Sequence, residues 1–107
     1  MKIILIAFSL LFGPAAMAVS HGNSSTVAVS QAGNLIIAAN KSRSKLIIQN
    51  INGAGNVAVK LDSLPGDDDD GHILATREVI ILEVSNAVYG KASQVAGDTI
   101  SIIEILE

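Results

Sequence analysis

The chain has no cysteine and no tryptophan, and its aromatic residues are one tyrosine and two phenylalanines. Without thiols there is no disulfide framework, no thiolate nucleophile and no soft sulfur ligand for a metal. Phe8 and Phe12 both fall in the first eighteen residues, so Tyr89 is the single aromatic ring beyond them. One copy of the chain therefore offers no sugar-stacking platform and no aromatic track for single-stranded nucleic acid. Histidine is nearly as scarce, with His21 and His72 the two examples, and no GxSxG elbow is present. Nucleophilic catalysis thus lacks both a ready nucleophile and a placed base, and a non-enzymatic role is expected. Positive charge is short as well: the net charge is −3. The one basic cluster, Lys41-Ser42-Arg43-Ser44-Lys45, has no aromatic partner. It reads as a solubilising charged loop rather than a nucleic-acid contact.

Long apolar runs are missing too, apart from the start of the chain. Lys2 is followed by an apolar run from Ile3 to Phe12, interrupted by Ala7 and Ser9. It falls short of the roughly 20 residues that a membrane-spanning helix requires. Gly13-Pro14 breaks the run, and Ala16-Met17-Ala18 places small residues at the −3 and −1 positions. This layout is that of a secretory signal over residues 1–18, with an uncleaved anchor as the alternative. Export to a periplasm, cell surface or extracellular space is expected, without membrane insertion once the signal is cleaved. A cysteine-free exported domain must hold itself by packing, by oligomerisation or by a bound ion.

What remains is one small domain. Residues 19–25, VSHGNSS, have no apolar period and read as a flexible arm before a domain over 26–107. Short β-type runs then follow one another between turn residues. The clearest is Val57 to Asp62, where Val57, Val59 and Leu61 face one way and Ala58, Lys60 and Asp62 the other. Asn52-Gly53 and Gly55-Asn56 precede it as a tight connection of the hairpin kind. In Glu78 to Val84 both faces are apolar, which predicts a central strand or a subunit contact. The last run, Thr99 to Leu106, has a phase slip: Ile100 and Ile102 share one face, Ile103 and Ile105 the other. A β-bulge near Ile102, or burial on both faces with Glu104 near an edge, would reconcile them. About eight short strands and no sustained helical period predict an all-β fold. The expected form is a small antiparallel β-sandwich, jelly-roll-like or barrel-like.

The densest concentration of chemistry is PGDDDDGH, residues 65–72. Asp67, Asp68, Asp69 and Asp70 are hard oxygen donors that suit calcium, and they form the one candidate metal site. The spacing departs from a calcium-binding helix–loop–helix. With Asp67 first and Asp69 third, Glu78 falls at the twelfth position, but Gly71 and His72 take the fifth and sixth. The competing expectation is a solvated hairpin tip, kept extended by like-charge repulsion, with no cofactor bound.

The order SKLIIQNINGAGNVAVKL, GHILATREVIILEV and NAVYGKASQVAGDTISIIEI, from about Ser44 to Glu104, resembles a β-sandwich module of tailed-bacteriophage virion proteins. The match rests on turns and apolar runs, and it carries no site residues across. The resemblance implies a structural or decoration role of the fibre or particle kind, often as a homo-oligomer. Together with the missing catalytic groups, this predicts an exported structural or adhesive subunit that self-assembles or decorates a surface. A calcium-dependent module using 67–70 is the alternative.

Overall fold

The computed structural model describes residues 21–51, 55–67 and 70–107. The expected signal peptide, with Val19 and Ser20, lies outside the described residues, as do Asp68 and Asp69. Eight strands form two antiparallel four-stranded sheets, with no helix among the described residues. In chain order the strands are β1 (His21–Val29), β2 (Asn34–Ile37), β3 (Arg43–Asn50), β4 (Val57–Leu61), β5 (His72–Leu74), β6 (Val79–Leu82), β7 (Val88–Ala92) and β8 (Asp98–Leu106). The sheets run β1-β8-β3-β6 and β2-β7-β4-β5. Apart from β4 and β5, each strand is followed by one in the opposite sheet, which is the winding of a jelly roll.

That winding alters one local expectation. The connection containing Gly55-Asn56 is no hairpin, because β3 and β4 lie in different layers and the chain crosses the sandwich there. The acidic segment does join hairpin partners, since β4 and β5 pair from Val57↔Leu74 to Val59↔His72.

The core is aliphatic and is drawn from both inner faces. Leu46 and Ile48 of β3 and Ile100 and Ile102 of β8 face Val57 and Val59 of β4, Leu74 of β5 and Val88 of β7. Side chains alternate along these core stretches, so every second residue is delivered to the same interior. β1 begins at His21 rather than Thr26. Residues 22–25 are exposed and have no apolar alternation, so core burial does not order them. Their backbone does, in an unbroken ladder with β8 from His21↔Leu106 to Val29↔Asp98.

The phase slip expected in the last strand is absent. β8 is central and regular, with Asp98, Ile100, Ile102 and Glu104 inward and Ile103 outward and exposed. The irregularity lies instead in β3, between Arg43 and Lys45. That shift turns Arg43 to the interior face, where it meets Glu104. An inward carboxylate at Glu104 is tolerated because a cation is delivered to it, so the strand needs no bulge.

Candidate functional site

Arg43 was expected in a solvated loop; its side chain is completely buried. Its Nε donates to Glu104 Oε2 at 3.0 Å. Nη1 donates to the carbonyls of Val84 and Asn86, at 3.3 and 2.8 Å, and Nη2 to the carbonyl of Ala38. The planar guanidinium has donors in several directions, so one side chain ties the β2–β3 connection, the β6–β7 loop and β8 together. This is a structural clasp that sequence reading missed. Its one signal was the pairing of a lone inward-phase Glu104 with a basic residue at the start of a strand.

Asp68 and Asp69 of the acidic segment lie outside the described residues, and Gly66, Asp67, Gly71 and His72 are exposed. Pro65 is buried, and Leu64 Cδ2 lies 3.2 Å from where a Cβ on Gly33 would stand. Asp67 lines an open cleft of about 400 Å³ with Gln31, Ala32, Lys91 and Ala92. Leu64 and Asp67 therefore stand beside the β1–β2 turn and β7. Ala58 is fully buried although it faces outward from the core. Asp70 Oδ2 accepts hydrogen bonds from Lys60 Nζ at 2.8 Å and from the Gly66 N–H at 2.7 Å. The Lys60 ammonium first, and the Gly66 N–H after it, hold the Asp70 carboxyl below its ordinary value. Asp70 therefore spends one oxygen on an internal turn, and like-charge repulsion is offset there by Lys60. Among the described residues no three His, Asp or Glu side chains converge as a metal cluster. His72 opens β5 and is exposed.

The outer face of the other sheet is different in kind. Ile47 of β3 stands in register with Ile81 of β6 on one side and Ile103 of β8 on the other. Ile81 is 58% exposed, Val79 52% and Ile103 40%, and Ile47 is half-buried. The result is an apolar row across three strands, flanked by Lys45 and Glu83 with their charged atoms 4.0 Å apart. The strand at its margin is not central, as one sequence expectation had it; β6 is a sheet edge. Its inward residues Ile80 and Leu82 pack on the core, while Val79 and Ile81 face outward.

The four sheet edges are unequally protected. β5 has three residues and follows the acidic loop, and β2 is interrupted by a bulge between Leu35 and Ile37. β1 is long, but residues 22–26 are glycine, asparagine, serine and threonine. β6 reads Val-Ile-Ile-Leu, with no charge, proline or irregularity. Short strands, bulges and charges are how sheet edges avoid pairing with other chains, and β6 has only its shortness.

No known protein family matches the chain, and no curated protein does. Its fold is similar to a solved structure of Bacillus endospore appendages, described as a novel family of disulfide-linked pili. The TM-score is 0.52 at 15% identity, over 90% of this chain and 100% of that one. At that identity the likeness is one of fold, and it joins this jelly roll to a β fold used in a pilus-type structural protein.

Proposed function

We propose that this protein is an exported, non-enzymatic structural subunit that assembles with copies of itself into a surface appendage or particle coat. The observation that carries the reading is the β6 edge, protected only by its shortness and bordered by the apolar row Ile81, Ile47 and Ile103. The fold likeness to an appendage protein supports it, as does the resemblance of the strand motifs to virion modules. The pili of that likeness are disulfide-linked. This chain has no cysteine, so its contacts would be made without disulfides. Export rests on the signal pattern of residues 1–18.

Magnitudes indicate what kind of contact is needed. Val79, Ile81 and Ile103 have about half their surface exposed, so covering all three contributes about 2–4 kcal/mol. Association alone costs about 4–15 kcal/mol in lost translational and rotational freedom. The apolar row is therefore insufficient for a dimer. Backbone pairing along the β6 edge, repeated at more than one contact per subunit, has to supply the rest. That favours a polymer over an isolated dimer.

Light scattering and electron microscopy of the purified protein over a concentration series test the reading, alongside Ile81→Lys. The expected result is concentration-dependent assembly that Ile81→Lys abolishes, with the monomer's stability changed by less than about 0.5 kcal/mol. A strict monomer at millimolar concentration would sink the proposal, and so would assembly indifferent to the lysine.

A further inference from the structure

The inner row of β8 is closed at each end by a carboxylate. At one end Glu104 meets the Arg43 guanidinium. At the other, where Val29↔Asp98 and Asn50↔Ile100 set the register, Asp98 is 3% exposed and Asn50 is fully buried. Asp98 Oδ1 accepts from Gln94 Nε2 at 3.3 Å, while Oδ2 has no hydrogen-bond partner. Asn50 Nδ2 donates to the carbonyls of Gly55 and Leu74, at 2.8 and 3.1 Å. Those two acceptors fix the carboxamide's orientation, and they leave Oδ1 also without a partner. Both orphan atoms are acceptors, and both belong to neighbours of Gly55. Asp98 Oδ2 and Ser93 Oγ each stand 3.1 Å from where a Cβ on that glycine would be.

A buried acceptor without a donor is expensive, and a buried carboxylate oxygen more so. One such atom is an isolated fault; two of the same sign around one glycine describe a missing positive partner. The fold shows at Arg43 how it neutralises an inward carboxylate, and no described side chain does so at Asp98. We propose that Asp98 Oδ2 and Asn50 Oδ1 bind a hard divalent cation of calcium size beside Gly55, with backbone carbonyls and water completing its shell. The donors are all oxygen, which is the preference of calcium, and an exported protein meets the concentrations that weak sites require. A Cβ at position 55 would press tightly on Asp98, Ser93 and Gln94. Asp98 also borders an open cleft of about 280 Å³ between the end of β1 and the turn before β8. Burial pushes the Asp98 carboxyl above its ordinary value, while the hydrogen bond from Gln94 draws it down.

Thermal melts of the purified protein in chelator, then in calcium, magnesium or sodium at equal ionic strength, test this. With calcium about tenfold above its dissociation constant the melting temperature should rise by about 6–11 °C. Asp98→Asn should abolish the rise, and Asn50→Asp should bring it on at lower calcium. Asp70→Asn should leave it unchanged, separating this site from the acidic loop. The proposal is overturned by no shift at about 10 mM calcium, by an equal shift with sodium, or by a response that survives Asp98→Asn. Should Asp98→Asn not fold, an Asn50→Asp response no stronger than that of the parent overturns it instead.

Discussion

Replacing Arg43 with methionine tests the clasp that closes one end of the sandwich. The guanidinium is fully buried, donates to Glu104 at 3.0 Å and also satisfies the carbonyls of Ala38, Val84 and Asn86. Methionine fills much of the volume but leaves Glu104, itself 9% exposed, charged and without its cation. Removing one partner of a buried pair costs about 3–5 kcal/mol. Against a total stability of about 5–15 kcal/mol, that is a large fraction. For a domain of this size it corresponds to a fall in melting temperature of about 12–40 °C. Urea unfolding followed by far-ultraviolet circular dichroism and by the fluorescence of Tyr89 reads it directly. Arg43→Met with Glu104→Leu should recover at least half of the loss, because the orphan charge is gone and an apolar pair of similar volume is tolerated. Lys45→Met is the control. Its partner Glu83 is 4.0 Å away and both side chains are exposed, so the change should stay within about 0.5 kcal/mol. A loss below about 1 kcal/mol for Arg43→Met, as for an arginine in a solvated loop, would refute the reasoning. So would a double variant no more stable than the single one.

The Lys60–Asp70 contact predicts a pH effect of defined sign. A carboxylate whose folded pKa is lowered adds stability above its unfolded pKa and loses it as pH falls through the folded value, here below 3.8. In an NMR titration Asp70 should therefore titrate below 3.8 in the parent, and Lys60→Met should move it upward. Gly71 has a φ of 95°, and a Cβ there would stand 2.4 Å from the Val59 carbonyl oxygen. Gly71→Ala should destabilise by at least about 1 kcal/mol in urea unfolding, with exchange protection lost first in the β4–β5 hairpin.

How legible each part of the molecule was depends on the range of the forces involved. The Val57–Leu61 alternation, the turns and the absence of any helical period are local, so the all-β class and the strand count could be read directly. The destination of each strand could not. Residues 55–56 look like part of a hairpin connection, yet the chain crosses between sheets there. Exposed residues 22–25 look like an arm, yet a backbone ladder needs no apolar side chains. The acidic run reads as repulsion in one dimension; in three, Asp70 is paired with Lys60. The candidate assembly face was half legible. The doubly apolar segment 78–84 was conspicuous, but only the sheet order makes it an edge.

By itself the sequence determined that this chain carries no cysteine, that it forms short strands, and where turns interrupt them. Periodicity and composition act between near neighbours and need no knowledge of the fold. Tertiary structure decided which polar residues point inward and what meets them there. Arg43 and Glu104 are 61 residues apart, and neither would be tolerable inside without the other. Asp98 and Asn50 are brought to one glycine by the pairing of β3 with β8. Burial turns a charge from a soluble feature into a demand for a partner, and only the folded chain shows whether that demand is met.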